Sequence, residues 1–200
     1  MGVKDILAAP QLYQWFQEAG GFFGARVKAI DKHLGLKSGM RILDIGCGPG
    51  HIVKYLPAGV RYSGFDIDPN YIEFAKRNFG DKGDFHCRFF DEAAAKEFAG
   101  ADVVMMNGVM HHIPDAELIQ TLRNVKAALK EGGRLFTLDG VFLSDQSAFV
   151  RRMLENDRGR YVRTPEAYEK VLKTVFTRVE PHIHNDLSRV PYSFYVAISS

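Results

Sequence analysis

The stretch Leu43-Asp44-Ile45-Gly46-Cys47-Gly48-Pro49-Gly50 places three alternating glycines two residues behind an acid. Glycine has no Cβ, so a turn built from it lets a ligand lie against bare backbone. In α/β sheets such turns open the crevice that receives nucleotides. The bland alternative is a tight turn that only joins two elements. Spacing narrows the ligand. A dinucleotide fingerprint reads G-x-G-x-x-G and needs glycine at 51, where His51 stands. Twenty-two residues past Asp44 comes Asp66, at the end of the run Val60–Asp66. An acid at a second strand end can accept hydrogen bonds from both hydroxyls of a ribose. Asp68, directly before Pro69, is the better candidate for a helix cap. Phe89-Phe90-Asp91 marks a third such position, with Asp91 either meeting a ligand or capping the helix Glu92–Phe98. Behind the apolar run Ala101–Asn107 stands the turn Gly108-Val109-Met110-His111-His112, and Asp139 closes a later run.

Positioning these groups requires strands alternating with amphipathic helices, hence a mostly parallel sheet flanked by helices. Strands are expected at Arg41–Ile45, Val60–Asp66, Asp84–Phe90, Ala101–Asn107 and Arg134–Leu138, then Val175–His184 and Val190–Ile198 joined by a turn with Asn185-Asp186. Helices are expected over His51–Leu56, from Pro69, over Ala116–Lys130 up to Gly132-Gly133, and over Pro165–Thr174, with loop and helix between Gly140 and Thr164. Residues 10–35 read as two helices broken near Gly20-Gly21. Tyr13 and Gln17 share one helical face, as do Trp15 and Ala19, so this segment either covers the ligand as a lid or docks Trp15 and Phe16 on the sheet.

The pattern Asp44-x-Gly46-x-Gly48-x-Gly50 resembles motif I of the class I S-adenosylmethionine-dependent methyltransferases, D/E-x-G-x-G-x-G. Asp66 and Asp91 fall in the right order at the right strand ends. The resemblance covers residues 38–140 and is architectural outside them. It implies an α/β fold, a Rossmann-like three-layer sandwich whose seven-strand, mostly parallel sheet ends in an antiparallel hairpin. It further implies one domain over 1–200: a helical cap (1–37), a cofactor-binding core (38–140), a substrate-side insertion and helix (141–174) and the terminal hairpin (175–200). The cofactor is S-adenosyl-L-methionine, and the product S-adenosyl-L-homocysteine. This ligand has no pyrophosphate to seat on a helix; its zwitterionic tail and sulfonium pass over flat backbone at Asp44, Gly46, Cys47, Gly48 and Gly50. Asp66 is implied as the ribose ligand, Ile67 as a contact of the adenine face, and Asp91 as acceptor of the adenine amino group with Phe90 lining the ring. Asn107 is implied near the methionine end.

The acceptor face carries weaker signals. The N/D-P-P-Y/F motif of amino DNA methyltransferases is absent, and the His111-His112 turn is similar to that of small-molecule methyltransferases. Either these histidines touch substrate, or one packs on the sheet and the other caps the helix near Asp115. Methyl transfer needs a general base only for a protonated, weakly acidic acceptor. Histidine suits that task, so His111, His112 and Asp139 are the catalytic candidates. Five arginines fall between Arg151 and Arg163. They either clamp an anionic acceptor, through Arg152, Arg160 or Arg163, or form a solvated face with local ion pairs. No metal is expected. Asp139, Asp145 and Asn107 lack a diagnostic spacing, and His182 and His184 share a strand face without a third ligand in view.

Composition bounds the rest. A net charge of +2 over 200 residues gives no field toward nucleic acid or anionic membranes. Two cysteines, Cys47 and Cys87, within core-like runs argue for a reducing compartment. No apolar run suits a signal peptide or a membrane span. The expectation is a cytoplasmic enzyme acting on a small molecule at an oxygen nucleophile; tRNA or protein acceptors and a non-catalytic cofactor-binding module are the alternatives.

Overall fold

The computed structural model describes residues 21–157 and 159–200. The chain runs through α1 (Phe22–Leu34), β1 (Arg41–Ile45), a 3-10 segment (His51–Tyr55), β2 (Arg61–Asp66), α2 (Pro69–Phe79), β3 (Asp84–Cys87), α3 (Glu92–Glu97) and β4 (Ala101–Asn107). A 3-10 turn at Met110–His112 precedes α4 (Asp115–Ala128), β5 (Leu129–Gly140), α5 (Ala148–Glu155), α6 (Pro165–Lys173), β6 (Val179–His184) and β7 (Phe194–Ser199). The expected lid at Tyr13, Trp15, Phe16, Gln17 and Ala19 lies outside the described residues.

The seven strands form one sheet in the order β3-β2-β1-β4-β5-β7-β6, and β7 runs antiparallel to both neighbours. Side chains alternate between its faces, as the two-residue period of a strand dictates. Ile42, Val103, Met105 and Phe136 pack with Ala25, Ala29 and Ile30 of α1 and Ile72 and Ala75 of α2. Leu43, Val104, Met106 and Leu135 pack with Ala94 of α3, Leu118 and Leu122 of α4 and Leu172 of α6. Both faces are therefore covered, which is why β4 reads as an almost unbroken apolar run. The expected three-layer fold holds.

Boundaries moved for identifiable reasons. β3 stops at Cys87, so Phe89, Phe90 and Asp91 lie in the connection to α3. Helix α4 ends at Ala128, and β5 begins at Leu129 with a register shift opposite Ala101–Val103. Gly133 permits that irregularity, because a Cβ there would press on the Ala101 and Lys130 carbonyls. Pro181 sits in β6 without breaking the sheet, since β6 is an edge strand.

From β1 the chain winds outward through β2 and β3, then crosses to β4 and β5 on the other side. The carboxyl ends of β1 and β4 therefore bound the topological switch point, where open α/β sheets bind ligands. Asp44, the glycine turn and Asn107 stand there because the winding puts them there.

Candidate active site

Gly46 and Gly48 both hold positive φ, +72° and +55°, a region L side chains rarely adopt. They differ in surroundings. A Cβ on Gly46 would drive into Val109, whereas nothing lies within 4 Å in front of Gly48. Packing explains the first glycine, and the second leaves its face open to a ligand. The turn is tied to β2: Phe65 O accepts from the Gly46 and Cys47 amides at 2.8 and 3.0 Å, and Asp66 Oδ2 accepts from Gly48 N at 2.8 Å. Asp66 Oδ1 accepts from Asp68 N at 3.0 Å, and Asp68 itself caps α2 by accepting from Asn70 N at 2.8 Å. The Asp66 carboxylate is thus oriented at both oxygens, each with a lone pair left to receive a hydroxyl.

Asp44 is buried under the turn. Its Oδ2 accepts from the Tyr62 hydroxyl at 2.8 Å, while its Oδ1 has no partner among the described residues. Burial pushes its carboxyl up to about 7, against the Tyr62 hydrogen bond, the nearby Arg26 charge and the adjacent Asn107 amide. Asn107 Oδ1 is likewise buried without a partner among the described residues. Both groups line a pocket of about 380 Å³, including its open mouth, together with Phe23, Arg26, Gly46, Cys47, Pro49, His51 and Ile52. Burial pushes the Cys47 thiol up, so it serves as a neutral wall. His51, which displaced the dinucleotide motif, packs edge-on against Phe23, Phe74 and Phe79.

The adenine-side candidates separate. Ile67 is 60% exposed at the end of β2. The Phe90 ring is buried, edge-on to Phe65 at 5.0 Å, and the exposed aromatic is its neighbour Phe89. Asp91 caps α3, accepting from Ala94 N at 2.8 Å, and pairs with Arg88 at 3.1 Å. That capping bond holds its carboxyl below the usual range, and Arg88 adds to it. One oxygen, Oδ1, carries both contacts.

On the acceptor side, His111 and Asp139 are joined and buried. Asp139 Oδ1 lies 2.6 Å from His111 Nδ1 and also accepts from the His111 amide at 3.1 Å. The other ring nitrogen, Nε2, lies 3.3 Å from Asp157 Oδ1. Burial alone would lower the His111 pKa, but hydrogen bonds to Asp139 and Asp157 raise it to about 9. At neutral pH this imidazole carries charge between two carboxylates. His112 is exposed beside it, with ring centroids 4.1 Å apart.

Arg163 leaves the expected anion clamp. All five guanidinium N–H groups are spent: two on Asp115 Oδ1, the others on the carbonyls of Met110, Tyr161 and Ile113. It fastens the histidine turn. Arg152 and Arg160 remain exposed. Reasoning from sequence missed Arg26, Phe89 and Asp157. Arg26 lies far from any motif in the chain, Asp157 stands among the arginines of 151–163 with nothing to mark it, and Phe89 was signalled only as one of two adjacent phenylalanines.

A family model described as methyltransferase domain matches residues 43–135. The ubiquinone biosynthesis O-methyltransferase of Aromatoleum aromaticum is 30% identical over 115 residues, covering 56% of this chain and 48% of that protein. The tRNA U34 carboxymethyltransferase of Pseudomonas paraeruginosa is 32% identical over 149 residues, covering 66% and 44%. The chain spans about half the length of the curated relatives it matches. The structure of a TehB-like SAM-dependent methyltransferase from Corynebacterium glutamicum superposes with a TM-score of 0.67 at 20% identity, covering 100% of this chain and 99% of that one. No helix among the described residues is long and apolar enough to cross a membrane.

Proposed function

On the premise that residues 43–135 belong to the methyltransferase domain family, we propose that the chain is a cytoplasmic S-adenosylmethionine-dependent methyltransferase acting on an oxygen of a small molecule. The carrying observation is the open face of Gly48, with Asp44 Oδ1, which has no hydrogen-bond partner among the described residues, on one side and the oriented Asp66 carboxylate on the other. The residues present fit the cofactor. Asp44 suits the ammonium of its amino-acid tail, Arg26 the carboxylate, and the carbonyl of Asn107 a further donor. Asp66 suits the ribose hydroxyls. Ile67 and Phe89 offer apolar surface to the adenine, and Asp91 its second oxygen to the amino group.

The cofactor supplies an electrophilic methyl group, and the transfer is an in-line displacement. The chain's contribution is chiefly positioning, worth on the order of 7–11 kcal/mol at best. His111 is held between Asp139 at Nδ1 and Asp157 at Nε2 and serves to position the neighbouring His112 and the turn that carries it. In the charged form it is a donor, not a base, so His112 is the nearer candidate for taking a proton. Arg152 and Arg160 are the remaining candidates for an anionic acceptor. We read 1–200 as a single unit.

A tRNA acceptor is the second reading, favoured by the Pseudomonas relative and opposed by a net charge of only +2. The test is formation of S-adenosylhomocysteine when purified chain and cofactor meet a fractionated extract. Turnover that follows the small-molecule fraction supports the first reading; turnover that is lost on ribonuclease treatment supports the second. Tight cofactor binding with no turnover in any fraction would leave a non-catalytic binding module.

A further inference from the structure

A cluster of ligand-capable side chains stands at the carboxyl ends of β4 and β5, on the far side of Gly108 from Arg26. One ligand-capable atom from each of His111, His112 and Asp157 lies within 4.8 Å of the other two. We propose that these three residues form a binding site for one divalent transition cation of the zinc class.

The ligand chemistry selects the ion. Two imidazoles and one carboxylate suit zinc and its first-row neighbours, whereas magnesium and calcium prefer all-oxygen surroundings. Three protein ligands with an open position is the pattern of an exchangeable rather than a closed structural site. The His111–Asp157 separation agrees. A tetrahedral ion with ligands at about 2.0–2.1 Å holds its ligand atoms roughly 3.3 Å apart, and the His111 Nε2 to Asp157 Oδ1 edge is 3.3 Å. The His112 ligand atom completes the triangle within 4.8 Å of both.

The surroundings are those of a metal site rather than of a chance cluster. Metal-binding histidines commonly give their other ring nitrogen to a carboxylate, which fixes tautomer and ring orientation. Asp139 Oδ1 stands 2.6 Å from His111 Nδ1 and does this, leaving Nε2 toward Asp157 and His112, where a bound ion would replace the proton that otherwise faces Asp157. Asp157 is oriented in turn, its Oδ1 accepting from Gly159 N at 2.8 Å. The ligand-bearing turn is clamped at three carbonyls. Arg163 bonds Met110 O at 2.7 Å and Ile113 O at 2.6 Å, and Tyr161 N bonds His111 O at 2.9 Å. Gly159 lies so close to the His111 ring that a Cβ there has no room. Asp157 and Gly159 are thereby held against the His111 ring, with which Asp157 would share an ion. The open position would take an oxygen of the acceptor, a consequence that rests on the methyl-transfer reading; the site itself does not.

The test is titration of the purified, chelator-treated chain with Co2+ and Zn2+ without cofactor, read by visible absorption and by calorimetry. We expect one Co2+ per chain with the intense absorption of a four- or five-coordinate ion, displaced by Zn2+. His112→Ala, at an exposed position, and Asp157→Asn should each weaken binding at least tenfold, with circular dichroism and the thermal midpoint checking that each variant keeps the fold. Asp139→Asn should weaken it about 10–100-fold, as expected for an outer carboxylate. His182→Ala is the control, because His33, His182 and His184 form another imidazole cluster, and binding should survive it. Absence of a coordinated Co2+ spectrum, binding unaffected by His112→Ala and Asp157→Asn, or binding lost in His182→Ala would each overturn the proposal. Cofactor affinity measured on the same samples stands independently, so failure here leaves the methyltransferase reading untouched.

Discussion

Asp44 is enclosed by the turn it serves, and burial holds its carboxyl near 7. Its folded pKa lies above the ordinary 3.8, so its contribution to stability is full below about 3.8 and is lost as pH rises through 7. Cofactor binding runs the other way, because an ammonium ligand needs the carboxylate. Affinity measured from pH 6 to 8 should therefore rise with pH and level off, and Asp44→Asn should bind weakly with a flat profile. A profile unchanged by that substitution would detach Asp44 from the cofactor. Gly48→Ala separates binding from folding. The left-handed backbone costs an L residue roughly 1–2 kcal/mol, and no side chain stands in the way. A modest fall in stability with at least a tenfold loss of affinity is expected; loss of stability alone would make the turn structural. Asp44, the glycines and Asp66 were legible in the sequence because they are contiguous with strand ends and keep a fixed order. Arg26 and Asp157 were not, because nothing local marks them: folding carries Arg26 over the turn, and Asp157 reaches His111 across 46 positions of chain.

Elements place these residues, and two elements have consequences of their own. The histidine turn depends on Arg163, reached from the segment before α6. Arg163→Ala strands three carbonyls and the Asp115 contact, and should cost at least about 1.5–3 kcal/mol, the worth of one charge-assisted bond. Denaturant midpoints check it; an unchanged midpoint would mean the clamp is idle. At the other end of the sheet, α1 and β6 meet through histidines, His33 Nε2 lying 2.9 Å from His184 Nε2. Burial, with His182 and His184 nearby, lowers the His33 pKa to about 4. A depressed histidine leaves stability intact above its unfolded value near 6.5 and erodes it as pH falls toward 4. The wild type should lose stability over that window more steeply than His33→Gln; equal slopes would remove His33 as the cause. The strands were readable because β1 and β4 are covered on both faces. The ends of β3 and β5 were not, since pairing with a neighbour, rather than local pattern, decides where a strand stops. The pairing of His33 with β6 was hidden for the same reason, being a contact between elements 151 residues apart in sequence.

At the scale of the molecule, the parallel α/β sheet followed from the alternation of strands and helices and the seven-strand plan with its terminal hairpin from the family resemblance; both held over the described residues, with shifted element ends. The acceptor was not legible. Its walls come from loops and from Arg152, Arg160 and the His111 turn, where residue types repeat no pattern that a substrate imposes. The whole chain should respond to its cofactor as a single folding unit. At a hundred times Kd, a ligand bound only by the folded state adds about 2.7 kcal/mol, which for a chain of this length raises the thermal midpoint by about 5–10 °C. The most direct test is calorimetric titration of S-adenosylhomocysteine into the wild type and Asp66→Ala at pH 7.5. One saturable site per chain, weakened at least tenfold by a substitution that keeps the fold, is the predicted result. No heat with the wild type, or equal affinity in the two proteins, would contradict it.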